Sequence, residues 1–257
     1  MKRITALCSF LAIAATLVGC ATQAPAPSPS ILRVGVSPNS RPVIFKQGKQ
    51  IAGIEADLAR KLGHSLNREV VFVELPWNKL IESLESNKID IIMSNMSITS
   101  ARSVRVNFSI PYLQSGLTGL FRRDNYDPSG LPASTVRNQT KRIGFVKGKT
   151  GEFMVMQRFN RAETKKSYSS SEAAVSALKN NKIDMFIHDA PIIWWLSATD
   201  ESGLVAFPEL LNIEPLAWGI AKNNTELLNK VNALVIEWDQ DGTTKRIVDN
   251  WLPSFKR

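Results

Sequence analysis

Residues 80–95 read Leu80-Ile81-Glu82-Ser83-Leu84-Glu85-Ser86-Asn87-Lys88-Ile89-Asp90-Ile91-Ile92-Met93-Ser94-Asn95. A second stretch, 174–189, reads Ala174-Val175-Ser176-Ala177-Leu178-Lys179-Asn180-Asn181-Lys182-Ile183-Asp184-Met185-Phe186-Ile187-His188-Asp189. Both pass from a short helical pattern through Asn-Lys-Ile-Asp into an apolar run. A helix–turn–strand joint that occurs twice predicts two similar α/β units. In such units ligands bind beyond the strand ends, which here are Ser94-Asn95 and His188-Asp189. The tetrapeptide itself reads as turn and strand-start chemistry.

Outward from these joints, strands alternate with helices. Ile31–Val36, Val70–Glu74, Ile89–Ser94 and Ile143–Val146 read as strands. Gly53–Gly63 reads as a helix, with Leu58 and Leu62 at i,i+4 and Gly63 as its stop. Trp77–Ser86 and Glu152–Phe159 read as helices, Lys166–Ser167 and Leu216–Ala221 as strands. The polar stretch Arg123–Thr140 reads as irregular. A last long helix carries Leu227, Leu228, Val231, Leu234, Val235 and Trp238 toward the core and ends at Asp241-Gly242; Ile247, Val248, Trp251 and Leu252 then form an amphipathic turn. This order is that of an α/β protein with parallel strand pairs.

The first thirty residues stand apart. Lys2 and Arg3 precede an apolar run that ends in Leu17-Val18-Gly19-Cys20. That sequence resembles a bacterial lipobox, which implies a signal peptide over 1–19 and a lipidated Cys20. Residues 20–30, rich in Ala, Pro and Ser, read as a tether. Cys8 would leave with the leader, so the mature chain has neither a disulfide pair nor a Cys-rich metal site. The net charge of +9 falls to +7 without Lys2 and Arg3. A basic surface suits anionic lipid or an anionic ligand, but no aromatic-interleaved basic patch points to nucleic acid. Gly144–Thr150 is one residue short of a phosphate-binding loop and implies no nucleotide.

Between Ile31 and Pro253 the chain resembles the bacterial extracellular solute-binding proteins of family 3, the polar amino-acid receptors of ABC importers. The resemblance is carried by Asp90–Arg102 with Phe108-Ser109-Ile110-Pro111-Tyr112, by Gly53–Leu58, and by Asp241-Gly242-Thr243 with Ile247 and Trp251. It implies the two-lobe periplasmic-binding-protein fold of type II, each lobe a mixed, mostly parallel sheet flanked by helices. Two crossing segments, near 115–118 (with Gly116 and Thr118 as hinge) and 212–215, would join lobe one (31–114 and 216–257) to lobe two (115–215).

The resemblance also implies a site for a free amino acid, whose two charges need a fixed cation and a fixed anion. Arg102 is the candidate for the carboxylate, since guanidinium grips carboxylate with two parallel hydrogen bonds; Thr99 is placed to cap the helix presenting it. Asp189 is the candidate for the ammonium. Ser94, Asn95 and Ser97 would stand beside Arg102, and Thr150 would complete the carboxylate site at a helix start. Trp77 reads equally as pocket wall or as core. Ser37 stands where relatives often carry Asp, and Lys149 where a small hydroxyl residue is common. Both substitutions lean toward neutral or acidic ligands.

No cofactor or metal is implied. The expected partners are an amino acid, the membrane subunits of an ABC importer and, through Cys20, a membrane; the protein is expected to act as a monomer on the periplasmic side. Ala21 is not a retention aspartate, which favours the outer membrane in a Gram-negative host. A cyclohexadienyl dehydratase-like enzyme and a ligand-sensing lipoprotein are the alternatives. A Ser-hydrolase reading fails for want of a Gly-x-Ser-x-Gly elbow.

Overall fold

The computed structural model describes residues 30–124, 132–199 and 203–252. The expected leader, Cys20 and nearly all of the tether lie outside them. The first lobe contains β1 (Ser30–Val36), a small hairpin sheet of β2 (Asn39–Ser40), β3 (Ile44–Gln47) and β4 (Gln50–Ala52), then α1 (Ile54–Ser65), β5 (Arg68–Glu74), α2 (Leu80–Glu85), β6 (Ile91–Ile92), α3 (Ser100–Ser103) and β7 (Val106–Phe108). The second contains β8 (Leu117–Arg122), α4 (Ala133–Gln139), β9 (Arg142–Val146), α5 (Thr150–Arg158), β10 (Thr164–Tyr168), α6 (Ser171–Lys179), β11 (Met185–Asp189), α7 (Ala190–Thr199) and β12 (Leu204–Ala206). The chain then returns to the first lobe with β13 (Gly219–Ala221), α8 (Thr225–Gln240) and α9 (Thr243–Trp251).

The two main sheets are built alike. Their strand orders are β5-β1-β6-β13-β7 and β10-β9-β11-β8-β12. In each, the first three strands run parallel and the last two pair antiparallel. Four of the five strands in each sheet therefore run in one direction, with only β13 and β8 opposed, so the sheets are mixed and mostly parallel as expected. The antiparallel strands β8 and β13 belong to the segments that pass between the lobes, so they enter each sheet from the opposite end. Apolar clusters cover both faces of each sheet: one built on Leu32, Val34, Leu58, Trp218 and Trp238 and one on Leu80, Ile89 and Ile92 in the first lobe; others around Phe145, Val155 and Phe159 and around Ala174, Leu178 and Phe186 in the second.

The repeated tetrapeptide has one geometry in both places. Asn87 and Asn181 adopt left-handed backbone at φ 55° and 56°, which Asn tolerates better than most residues. The amides of Lys88 and Lys182 then reach back to the carbonyls of Ser83 and Ala177, each at 2.9 Å. Asp90 accepts the Arg33 N–H at 2.8 Å and the guanidinium through Nη2 at 2.6 Å, while Arg33 Nη1 also donates to the Asn87 carbonyl at 2.5 Å. In the second lobe Asp184 accepts the Arg142 N–H at 2.9 Å and its Nε at 3.0 Å, and Arg142 Nη1 donates to the Asn181 carbonyl at 2.7 Å. Each lobe thus ties its first parallel strand to the helix–strand joint by an Arg–Asp lock, which Arg68 Nη2 reinforces at 3.3 Å from Asp90 in the first lobe. Burial pushes the Asp90 carboxyl up, but the Arg33 guanidinium and N–H hold it below its ordinary value.

Several boundaries differ from expectation. Gly63 does not end its helix; α1 runs on to Ser65, and a Cβ at Gly63 would collide with the Arg68 carbonyl and Val70. Close packing against the next strand explains that glycine. Residues 77–79 form a 3₁₀ turn before α2. Residues 133–139 of the polar stretch form α4, anchored by buried Val136. The final amphipathic turn is a full helix, α9.

The lobes are joined where 114–116 and 212–215 run side by side. Glu214 N–H donates to the Ser115 carbonyl and Asn212 Oδ1 accepts the Leu117 N–H, both at 2.8 Å. A side chain on Gly116 would strike the Asn212 carbonyl, so contact between the crossings requires glycine. Thr118, expected as a hinge residue, lies inside β8 opposite His188. Its hydroxyl bonds the carbonyls of Phe207 and Glu209, which fixes it to the second lobe.

Candidate functional site

Of the nominated residues, Trp77, Arg102 and Thr150 line one cavity between the lobes, and Asn95 and Asp189 meet across them. On the first lobe, β6 ends at Ile92 and the chain turns through Ser94 and Asn95, both buried, with Asn95 at φ 55°. Ser94 Oγ accepts the Ser37 N–H at 2.7 Å, so this hydroxyl ties the loops after β1 and β6 together. Thr99 caps α3 by accepting the Arg102 N–H at 3.3 Å. Arg102 Nη1 in turn donates to the Ser97 carbonyl at 2.9 Å. Burial pulls the Arg102 guanidinium below its ordinary value, opposed by the carboxylates of Asp189 and Glu214.

On the second lobe, buried β11 delivers His188 and Asp189 to the cleft. Asp189 Oδ2 accepts Asn95 Nδ2 from the other lobe at 2.9 Å, and His188 Nδ1 lies at the same distance from that oxygen. Burial raises the Asp189 carboxyl, yet neighbouring His188, Lys149 and Asn95 together hold it below its ordinary value. Thr150 opens α5, as expected. The Gly148 N–H at this helix start is already taken by Glu152 Oε2 at 2.7 Å, so the chain's own carboxylate uses one of the donors expected to face a ligand.

Trp77 closes the cleft. Its Nε1 donates to the Gly148 carbonyl of the opposite lobe at 3.1 Å. Lys149 Nζ lies 3.3 Å from the centre of a Trp77 ring, and the Arg102 guanidinium carbon 5.1 Å from it. Trp77 is therefore a half-buried wall of the cleft that also packs against the apolar cluster around Leu80 and Ile92. Lys149 is buried, and its ammonium has no hydrogen-bond partner among the described residues. Burial draws it down to about 8, a shift that Asp189 and Glu55 oppose.

Two carboxylates here escaped the sequence reading. Glu55, at the start of α1, looks like an ordinary helix first-turn acid. It is instead wholly buried: Oε2 accepts the Asn95 N–H at 2.5 Å, and Oε1 has no partner among the described residues. Burial raises it to about 8, against the pull of Asn95, Tyr112, Lys149 and Trp218. Glu214, in the second crossing, accepts Asn212 Nδ2 at 2.7 Å through Oε1. Its only sequence signal was its place in the expected crossing.

A cavity of about 820 Å³ opens beside Arg102, with Trp77, Thr99, Thr150 and Glu214 on its wall. Ser37, Ser94, Asn95, Ser97, Lys149 and Asp189 are buried and do not belong to that wall. The cleft thus pairs an open cavity beside Arg102 with a buried cluster of the protein's own polar groups around Asp189. No three His, Cys, Asp or Glu side chains among the described residues are grouped to hold a metal ion.

Residues 32–254 match the family model of the bacterial extracellular solute-binding proteins, family 3. The chain belongs to this family. It is 29% identical over 209 residues to the ABC transporter arginine-binding protein 1 of Escherichia coli (strain K12), covering 79% of this chain and 83% of that one. Among solved structures, a putative binding component of an ABC transporter from Wolinella succinogenes, complexed with lysine, has a TM-score of 0.80 at 31% identity, covering 86% of this chain and 95% of that one. An ancestral amino acid-binding protein described as a precursor of cyclohexadienyl dehydratase has a TM-score of 0.77 at 29% identity, with the same coverage. Within the family fold, no helix among the described residues is long and apolar enough to cross a membrane.

Proposed function

We propose that this solute-binding protein serves an ABC importer and holds a free amino acid, neutral or acidic, between its two lobes. The observation that carries the reading is a half-buried guanidinium on one lobe and a buried carboxylate on the other, facing one cleft: Arg102 and Asp189. The ligand's carboxylate binds Arg102 with help from Thr150. Its ammonium replaces Asn95 Nδ2 on Asp189, and Asn95 Oδ1, buried without a partner among the described residues, accepts a further N–H from it. Ser94, Ser97 and Ser37 support this corner, and Trp77 covers the ligand. Only closure satisfies both charges, so binding favours the closed state.

Lys149 supports the ligand preference. The named relatives include arginine and lysine binders, but here a buried ammonium already lies against Trp77. A second cation in the same low-dielectric space is repelled, whereas a side-chain carboxylate is attracted. Cys20 would carry the lipid anchor and hold a monomeric receptor on the periplasmic side of the envelope, at the outer membrane in a Gram-negative host. Gly116 would supply the flexible crossing.

Thermal unfolding against each common amino acid tests the reading. A ligand at a hundred times its dissociation constant adds about 2.7 kcal/mol. Stabilisation by aspartate, glutamate or a neutral amino acid is expected. Tight binding of arginine or lysine overturns the preference, and no response to any amino acid overturns the function.

A further inference from the structure

The open cavity of the cleft carries charge that a single amino acid leaves unused. Besides Arg102, the cavity wall holds Arg105, Arg137 and Arg158, against one carboxylate, Glu214. Arg105 is already neutralised by a two-point pair with Glu85, at 2.5 and 2.9 Å. Arg137 on α4 and Arg158 at the end of α5 have no ion pair among the described residues. Glu214 spends Oε1 on Asn212 and lies close enough to Arg102 to act on its charge. The wall also presents Phe153, 61% exposed, beside these cations. An unpaired pair of guanidiniums with an exposed aromatic, in a cavity of about 820 Å³, matches the size and polarity of a site for something larger than a free amino acid.

The direction of the opening says where the extra part of the ligand lies. Asp189, the ammonium end, is buried, bonded to Asn95 and absent from the cavity wall, whereas Arg102, the carboxylate end, lines the cavity. An extension is therefore accommodated at the carboxyl end alone. We propose that Arg137 and Arg158 form a second anion subsite and that the ligand class extends to short acidic peptides with a free amino end. This rests on the assignment of Arg102 and Asp189 to the amino-acid end. The first residue's ammonium stays at Asp189, its carbonyl takes the place of the free carboxylate at Arg102, and the carboxylates of the second residue reach the two arginines. The apolar part of that residue covers Phe153.

Isothermal titration with two matched pairs tests this: glutamate against the dipeptide Glu-Glu, and alanine against Ala-Glu. In at least one pair the dipeptide is expected to bind ten times tighter or better than its free amino acid. The double variant Arg137→Ala/Arg158→Ala is expected to erase that margin while leaving the affinity for the free amino acid unchanged. Free amino acids that bind as well as or better than both dipeptides overturn the second subsite alone. So does a margin that survives the double variant. Dipeptide binding that is indifferent to Arg102→Ala overturns the assignment of the amino-acid end instead. If no member of either pair binds, both proposals fall.

Discussion

Asn95 Nδ2 donates to Asp189 Oδ2 at 2.9 Å, linking two residues 94 positions apart and on opposite lobes. In the proposed binding mode this amide stands where the ligand's ammonium would bind that carboxylate. Asn95 is itself held by Glu55, which accepts its N–H, and by left-handed backbone. One buried carboxylate therefore aims the group that satisfies the other. A hydrogen bond to a charged group contributes about 1.5–3 kcal/mol, enough to favour closure before a ligand arrives, and a ligand ammonium must do better than the amide it displaces.

Arg102→Ala should abolish amino-acid binding while the protein stays folded. Removing one partner of a buried charge pair costs on the order of 2–5 kcal/mol, or about 30- to several-thousand-fold in affinity. Titration calorimetry reads the loss and circular dichroism the fold; unchanged affinity would move the site elsewhere.

Lys149→Ser should alter selectivity more than stability. With the ammonium gone, the Trp77 face and the Asp189 and Glu55 carboxylates are open to a cationic side chain. Arginine or lysine affinity should rise at least about tenfold and acidic amino-acid affinity should fall, because a charge near 4 Å is worth about 4 kcal/mol at an effective dielectric of 20. A ligand order identical to that of the parent protein would remove Lys149 from the selectivity argument.

Glu55→Gln tests a pH dependence whose sign follows from burial. The folded state holds Glu55 at about 8 against an ordinary 4.5. Its contribution to stability is fully present below pH 4.5 and is lost as pH rises through 8. Lys149, lowered to about 8 from 10.5, contributes its own slope only between those values. Between pH 5 and 8 the two therefore separate. Unfolding free energies from denaturant titration should fall for the parent protein relative to the Gln variant over that range, by on the order of a few kcal/mol in total. Parallel pH profiles would mean that Glu55 is ionised throughout.

Asp90→Ala and Asp184→Ala should destabilise their own lobes by similar amounts, about 2 kcal/mol each once partial exposure is allowed for. Amide hydrogen exchange can assign the loss. Protection should fall in β1 and β6 for the first variant and in β9 and β11 for the second. Equal loss in both lobes from either change would show that the lobes unfold as one unit.

The repeat at Asn87–Asp90 and Asn181–Asp184 made the two-lobe architecture legible, since a helix, an Asn turn and an apolar strand follow one another by local rules. Arg102 and Asp189 were nominated through the family resemblance of the stretches around them, and the structure sets them on opposite lobes within electrostatic reach of each other. Glu55 was not, because a first-turn acid on a surface helix and a buried acid are written the same way. What decides between them is the loop carrying Asn95, forty residues on. The Asn95–Asp189 and Trp77–Gly148 contacts were equally hidden, since the relative placement of two lobes is set by the crossings rather than by any local pattern. Gly63 misled for a similar reason: the partner that demands glycine lies on the next strand.

The contact of Glu214 N–H with the Ser115 carbonyl has a further meaning for the chain as a covalent object. The backbone leaves the first lobe and comes back to it through neighbouring points, so the second lobe is a closed excursion from an otherwise continuous domain. Cutting at these two points would separate the second lobe from a first lobe left in two chain segments, each lobe with its own sheet, its own Arg–Asp lock and its own apolar core. The first could be resealed by a linker of a few residues. Such pieces, mixed in solution, would report ligand-dependent association directly, which turns closure from a motion within a molecule into a binding constant between two.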